Sequence, residues 1–189
     1  MKKLVLAVFA LALTFGFGMS NASAQTMAGD AMVGGGAMFR TKDIVDNAVN
    51  SKAHTTLVAA VKAAGLVDTL KSKGPFTVFA PTNDAFENLP DGTVATLLKP
   101  ENKATLTKVL TYHVVAGKMD AKAIMKAIKS GGGKATLKTV SGGTLTAMMN
   151  GNMNVVVMDE KGNTANISTY DVNQSNGVIH VIDAVLLPN

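Results

Sequence analysis

The chain has no cysteine, no tryptophan and only nine aromatic side chains among its 189 residues. The absence of cysteine excludes disulfide bonds, thiol chemistry and attachment of a lipid through a cysteine. The three histidines lie far apart in the sequence, and none has the spacing of a zinc site. We therefore expect a fold that is stabilised by packing alone, with no metal and no cofactor.

A strong excess of charge is also absent. The chain carries 18 basic and 13 acidic residues, a net charge of +5 that falls to +3 without Lys2 and Lys3. Lys122, Lys126 and Lys129 recur at helical spacing, which is typical of a solvated helix face. No basic stripe with interleaved aromatic residues is present, so nucleic acid is not an expected partner.

The amino terminus has the pattern of a secretory signal peptide over residues 1–24. Lys2 and Lys3 precede an apolar run over 4–13, and Ala22-Ser23-Ala24 supplies small residues before the cleavage site. The alternative is a membrane anchor, for which the apolar run is short. No hydrophobic tail follows the last apolar segment. The sequence therefore predicts a soluble, monomeric protein of bacterial type, secreted to the periplasm or the extracellular space, with no membrane anchor after cleavage.

Residues 25–40 are rich in Gly, Ala and Met and show no periodicity, which predicts a flexible leader ahead of the domain. Met27, Met32 and Met38 recur in it. Thioether sulfurs can bind copper(I) in exported proteins, but incidental methionines in a low-complexity linker are the simpler interpretation. We expect this leader to bury no apolar face.

We interpret residues 41–188 as one domain, long enough to bury a core. Helical periodicity dominates up to residue 130, interrupted by one apolar strand over 76–80. Period-two patterns then begin at Lys134, with a hairpin turn at Asn150-Gly151. The last strand, 178–187, is continuously apolar, as expected of a strand that is covered on both faces. Helices with one early strand, followed by a meander of strands, predict an α+β fold.

Two stretches of the sequence approach enzyme motifs but do not match them. The stretch 173–177 approaches G-x-S-x-G around Ser175, but it lacks the first glycine and precedes a strand instead of a helix. The stretch 131–135 approaches a phosphate-binding loop, but no Ser or Thr follows Lys134. We therefore expect no enzymatic activity. A hydrolase is an alternative that rests only on the serine string.

Three strings, in order, resemble the signatures of the fasciclin domain family. They are GPFTVFAPTNDAF from Gly74 to Phe86, YHVVAG from Tyr112 to Gly117, and NGVIHVIDAVLLP from Asn176 to Pro188. The resemblance runs from about residue 41 to 188. It implies a fasciclin-like fold, a twisted or wedge-shaped β-sandwich with several short helices packed along it.

The resemblance also implies adhesion. In some animal members the Tyr-His region has been linked to integrin binding, which would make Tyr112 and His113 partner-binding residues. The acidic-Pro-Asp-Ile string proposed for adhesion in the family is not matched, because Val181-Ile182-Asp183 lacks the proline. From the residues alone, His113 and His180 are expected to be partly buried and bonded to backbone or hydroxyl groups. His54, at a polar helix start, is expected at the surface or as a cap.

We therefore expect a secreted, non-enzymatic fasciclin-domain protein that mediates cell adhesion or contact with an extracellular protein, matrix or polysaccharide. The alternative is a carrier of a small apolar ligand, a lipid or a pigment, in the periplasm or extracellular space. The alternative is motivated by four methionines in the predicted hairpin, Met148, Met149, Met153 and Met158. Methionine suits adaptable apolar surfaces, although ordinary packing of the hairpin also explains these residues.

Overall fold

The computed structural model describes residues 30–151 and 154–189, so the predicted signal peptide, residues 25–29, Asn152 and Met153 lie outside the described residues. The strands are β1 Ala31–Val33, β2 Gly36–Met38, β3 Phe76–Pro81, β4 Val114–Ala116, β5 Lys134–Lys138, β6 Thr144–Asn150, β7 Asn154–Met158, β8 Thr164–Gln174 and β9 Gly177–Ile182. The α-helices are α1 Ile44–Ala48, α2 Thr55–Ala64, α3 Val67–Lys71, α4 Asn83–Glu87, α5 Thr93–Leu97, α6 Lys103–Tyr112 and α7 Ala121–Ser130. Helices with β3 among them precede a meander of strands, so the predicted α+β class is confirmed.

Within the part of the chain that the structure describes, no helix is long and apolar enough to cross a bilayer.

Seven strands form one sheet in the order β4-β3-β9-β8-β7-β6-β5. Neighbouring strands are antiparallel except β3 and β9, which run parallel with Phe79 opposite His180. A bridge between Val115 and Thr139 brings the end of β5 to β4, so the sheet curls until its two outer strands meet. The two most apolar strand segments of the sequence thus lie side by side, although about a hundred residues separate them along the chain.

The strand β3 lies between two apolar cores. Val78 and Ala80 belong to the helix-side core, which α1, α2, α3 and α6 cover. Phe79 belongs to the sheet-side core, which α7 and strands β5 to β8 enclose. Because side chains alternate along a strand, a strand between two cores buries side chains on both faces, and Thr77 of β3 and His180 of β9 are the buried polar residues among them. All six residues of β9 are buried, and the prediction that it is covered on both faces is confirmed.

A strand-to-helix junction follows β3 directly. Thr82 accepts a hydrogen bond from the amide of Ala85 and so caps α4. Asn83 acts on a different helix, because its Oδ1 accepts from the amide of Thr56 in the first turn of α2, at 3.0 Å. The junction therefore satisfies the free amides of two helices.

The segment 31–38 differs from the predicted leader. Strands β1 and β2 form a hairpin around Gly34-Gly35, which have positive φ angles of 58° and 75°. Val33 and Met38 are buried in the helix-side core. The expectation that this stretch buries no apolar face is wrong, because strands of three residues are too short to produce a visible alternation.

Two details of the strand meander also differ from the sequence pattern. Asn150 pairs with Asn154, so three residues connect β6 and β7 instead of two. Strand β8 continues to Gln174, with register shifts on either side of Thr169 and a positive φ of 56° at Asp171. These irregularities bend β8 from one half of the curled sheet into the other.

Candidate functional site

Tyr112 is the last residue of α6 and lies in the sheet-side core with 0 % of its surface exposed. Its hydroxyl donates to the carbonyl oxygen of Thr144 at 2.6 Å and accepts from the amide of Glu160 at 3.1 Å. Burial raises the pKa of the phenol, so the group remains a neutral donor at neutral pH. Tyr112 therefore joins α6 to the start of β6 and to the turn after β7.

His113 follows directly and is 3 % exposed. Its Nδ1 donates to the carbonyl oxygen of Val109 at 2.8 Å, and its Nε2 accepts from the amide of Leu186 at 3.0 Å. Because Nε2 accepts a backbone N–H, the ring is neutral and its proton is assigned to Nδ1. Burial lowers the pKa of His113 to about 4. Both ring nitrogens are used, which leaves neither for proton transfer or metal binding.

The chain after β9 is held by side chains from two other elements. His113 binds the amide of Leu186, and the Oδ2 of Asp159 binds the amide of Leu187 at 3.0 Å. The Oδ1 of Asp159 accepts from the amides of Lys161 and Asn163 in its own turn. The segment Leu186–Leu187, here called the closing segment, is thus fixed to α6 and to the β7–β8 turn.

The predicted partner-binding pair is therefore turned inward. Tyr112 and His113 each make two hydrogen bonds inside the protein, and these contacts give both residues a structural role that needs no partner. Their role as partner-binding residues stays a prediction.

His180 lies in β9 and is also fully bonded. Its Nε2 donates to the carbonyl oxygen of Met119 at 2.9 Å, and its Nδ1 accepts from the amide of Asp171 at 3.4 Å. The ring stacks on Phe79 with centroids 5.7 Å apart. Burial lowers its pKa. The expected bonding of His113 and His180 to backbone groups is confirmed, and both rings are more deeply buried than the partly buried state expected.

His54 occupies the N-cap position of α2, but its side chain makes no capping hydrogen bond. It is 1 % exposed, so the alternative of a surface position is wrong. Its Nδ1 lies 2.9 Å from the Oγ of Ser51. Burial lowers the pKa of the ring, and a hydrogen bond to the backbone of Ala80 raises it by a smaller amount. A signal was present in the sequence, because His54 stands three and seven residues before Leu57 and Val61, on the same apolar helix face.

The side chains considered for metal binding are dispersed. Within the described ranges, no group of three or more His, Asp and Glu residues could hold a metal ion. Of the methionines considered for copper(I), Met38 is 2 % exposed, Met32 is 67 % exposed, and Met27 lies outside the described residues.

The strings that approach enzyme motifs lie next to strands. Ser175 occupies the turn between β8 and β9, where its amide donates to the carbonyl oxygen of Lys42. Lys134 is the first residue of β5. Neither residue precedes a helix, which a nucleophile elbow and a phosphate loop both require.

An apolar cavity of about 70 Å³ lies between the helices and the sheet. Its wall draws on α1, α2, α3 and α6 and on the helix-side face of β3 and β9. That volume is about half that of an engineered cavity that holds benzene. A whole lipid or pigment would therefore require the cavity to open. Met148, Met149 and Met158, which motivated a ligand carrier, lie in β6 and β7 and are not part of this wall.

Comparison with known proteins places this fold in a family. The Fasciclin domain model matches residues 52–188. Protein sll1483 of Synechocystis sp. is 46 % identical over 168 residues, which cover 88 % of this chain and 85 % of that protein. Cell surface glycolipoprotein MPB83 of Mycobacterium bovis is 33 % identical over 178 residues, which cover 92 % of this chain and 71 % of that protein.

A solved structure has the same architecture. The FAS1 domain pair of the insect cell adhesion molecule Fasciclin I superposes with a TM-score of 0.68 and 19 % identity, over 77 % of this chain and 51 % of that one. This chain thus spans about half of that pair, and at such identity the likeness shows the fold alone. The predicted fasciclin-like fold is confirmed. Since the family model covers most of the chain and a relative is 46 % identical over nearly all of it, the chain belongs to the Fasciclin domain family.

Proposed function

We propose that this protein is a secreted, non-enzymatic binding module that mediates adhesion or surface contact outside the producing cell. The observation that carries the proposal is membership of the Fasciclin domain family, together with a fold that a cell adhesion molecule shares. A relative whose name places it at the cell surface supports a location outside the cytoplasm. The partner is an extracellular protein, a matrix component or a polysaccharide.

The hydrogen bonds of the signature residues support a partner-binding site made of other, exposed side chains. Tyr112, His113 and His180 form their hydrogen bonds with backbone atoms of the same chain. A rigid domain of this kind presents exposed side chains on fixed elements, which is what a contact module needs.

The test is binding of purified residues 25–189 to surfaces of the producing organism. Protein-coated beads are incubated with intact cells, and beads coated with heat-unfolded protein are the control. We expect saturable binding by the folded protein only. Binding that does not exceed the unfolded control would contradict the proposal.

The variant Tyr112→Phe separates structure from contact at the signature pair. It keeps the ring and removes the hydroxyl that bonds Thr144 and Glu160. We expect a lower melting temperature and unchanged binding to cells while the variant is folded. Loss of binding by the folded variant would instead make Tyr112 a partner-binding residue.

A further inference from the structure

The dipeptide Asn-Gly occurs twice in the chain, and the two copies lie in different environments. Asn150-Gly151 lies where β6 ends, and both of its residues are exposed. Asn176-Gly177 lies where β9 begins, and both of its residues are buried. An asparagine side chain can react with the backbone nitrogen of the next residue, and glycine leaves that nitrogen unshielded because it has no Cβ. The surroundings of each pair therefore decide whether this reaction proceeds.

The reaction needs no enzyme. The amide nitrogen of the glycine loses its proton to a base in the solvent and forms a bond to Cγ of the asparagine. The Cγ–Nδ2 bond breaks, and Nδ2 takes up a proton and leaves as ammonia, so that a cyclic succinimide remains. Water then opens the ring at Cγ, which gives aspartate, or at the backbone carbonyl, which gives isoaspartate. The net change is uptake of water and release of ammonia.

The surroundings of Asn150 leave this reaction open. Among the described residues, the one hydrogen bond of its side chain is long, from Nδ2 to the Oδ1 of Asn166 at 3.4 Å. Gly151 has a φ of 72°, and a Cβ added there would meet no described atom within 4 Å. Asn150 is also the last residue of β6, so rotation of its Cγ toward the glycine nitrogen disturbs only the end of the strand.

Asn176 is held in place by the fold. Its Oδ1 accepts from the amide of Ile44 at 3.0 Å. Its Nδ2 donates to the carbonyl oxygens of Leu70 and Ser72 at 2.7 and 2.9 Å. Gly177 is packed so closely against β3 that an added Cβ would lie 2.2 Å from a backbone oxygen. The side chain of Asn176 therefore cannot turn toward the glycine nitrogen until all of these hydrogen bonds are broken.

We propose that Asn150 is a site of spontaneous deamidation, which converts it into isoaspartate and aspartate while the protein stays folded, and that the fold protects Asn176 from the same reaction. Each event adds a negative charge at the exposed end of the β6–β7 hairpin. The isoaspartate form also lengthens the backbone there by a methylene group. The inference is independent of adhesion, because it concerns the covalent chemistry of the chain itself.

The test incubates the folded protein in heavy-oxygen water at mildly alkaline pH, because base speeds the loss of the amide proton. Digestion in ordinary water follows, so that only deamidation during the incubation carries the heavy isotope. Mass spectrometry of fragmented peptides locates the label. We expect deamidation to be at least about tenfold faster at Asn150 than at Asn176, whose side-chain hydrogen bonds have to break first. Equal rates at the two sites would overturn the proposal.

Protein unfolded in urea is the reference for the fold. There Asn150 and Asn176 should deamidate at similar rates, because the difference between them comes from the folded structure. An Asn150 that stays unlabelled in the folded protein, over a time in which it reacts in urea, would overturn the proposal. A difference between the two sites that persists in urea would overturn protection by the fold.

Asn154 is the control for exposure. It is exposed like Asn150 but precedes Val155, whose side chain shields the amide nitrogen. That amide also donates to the hydroxyl of Tyr170 at 2.8 Å. Asn154 should therefore remain unlabelled in the folded protein. Label at Asn154 that appears as fast as at Asn150 would show that exposure alone decides, and would overturn the proposal.

A pair of matched substitutions links the charge change to Asn150. Asn150→Gln moves the amide group one bond further from the glycine nitrogen, so the variant should lose the acidic species that ion-exchange chromatography detects after incubation. Asn88→Gln, at another exposed asparagine, should form that species as fast as the unsubstituted protein. An acidic species that forms undiminished in Asn150→Gln would place deamidation elsewhere and would overturn the proposal.

Discussion

Each of the three histidines lies inside the protein as a neutral ring. His113 and His180 use one nitrogen as a donor to a carbonyl and the other as an acceptor from an amide. Protonation would add a donor where an N–H already points, and it would place a charge in an apolar core. The folded state therefore resists proton uptake at these positions, and burial lowers the pKa of all three rings.

This arrangement predicts acid sensitivity in a defined window. An unfolded chain protonates its histidines near pH 6.5, whereas His113 stays neutral in the folded protein down to about 4. The unfolded state thus binds more protons in this window, so stability is full above about pH 6.5 and falls as the pH drops toward 4. A difference of one bound proton at His113 contributes a slope of about 1.4 kcal/mol per pH unit within this window. Urea unfolding across this range measures the slope.

The control for the acid prediction is His113→Gln. This variant should be less stable than the unsubstituted protein at neutral pH and should lose less stability on acidification, because one proton-linked group is gone. A free energy of unfolding that stays constant from neutral pH down to about 5 would contradict neutral burial of the histidines.

Burial of a histidine is predictable from the sequence where both of its neighbours are apolar or aromatic. This holds for His113 and His180, which stand among such residues. His54 stands between Ala53 and Thr55, and only its helical spacing to Leu57 indicates the inward face. The depth to which His54 is buried depends on packing of elements distant in sequence, which no local pattern encodes.

At the scale of elements, the hairpin β1–β2 extends the domain beyond the segment with clear periodicity. Gly34-Gly35 form its turn, and the amide of Lys52 donates to the carbonyl oxygen of Gly34 at 3.1 Å. The hairpin places Val33 and Met38 in the helix-side core. It is therefore expected to contribute to stability.

Two methionines of the hairpin test this contribution with the same substitution. Met38→Ala removes a side chain that is 2 % exposed and should lower the free energy of unfolding by about 2–5 kcal/mol. Met32→Ala removes one that is 67 % exposed and should change it by less than about 0.5 kcal/mol. Denaturant unfolding measures both. If the two variants have equal stability, the hairpin does not pack as described.

The helices and strands of 41–188 were largely predictable because their caps and periods are local signals. Gly65 ends α2 in the left-handed conformation and Asp120 caps α7, and both residue types favour these positions. The short hairpin β1–β2 and the bends in β8 were not predictable, because they arise from contacts with distant parts of the chain. The parallel pairing of β3 with β9 is likewise a property of the assembled sheet.

At the scale of the molecule, the domain depends on a strand from its carboxyl end. Strand β9 lies between β3 and β8, and its side chains enter both cores. The closing segment then returns to α6 and to the β7–β8 turn. The fold is therefore complete only when residues 177–187 are present.

Deletion of residues 176–189 should prevent stable folding. It removes an internal strand whose large apolar side chains contribute roughly 1.5–3 kcal/mol each, against a total stability of about 5–15 kcal/mol for a typical domain. Circular dichroism and size-exclusion chromatography should show aggregation or loss of tertiary structure. Deletion of residues 188–189 alone is the control and should leave a folded protein. A soluble, cooperatively folded protein without residues 176–189 would refute this dependence.

The central claim is that the Tyr-His signature holds the fold together and does not itself contact a partner. The most direct measurement follows His113→Ala by thermal unfolding and by cell-surface binding on the same sample. We predict that the free energy of unfolding falls by about 1–3 kcal/mol, because the amide of Leu186 loses its buried acceptor, and that binding by the folded variant is unchanged. An unchanged melting transition together with lost binding would contradict the account.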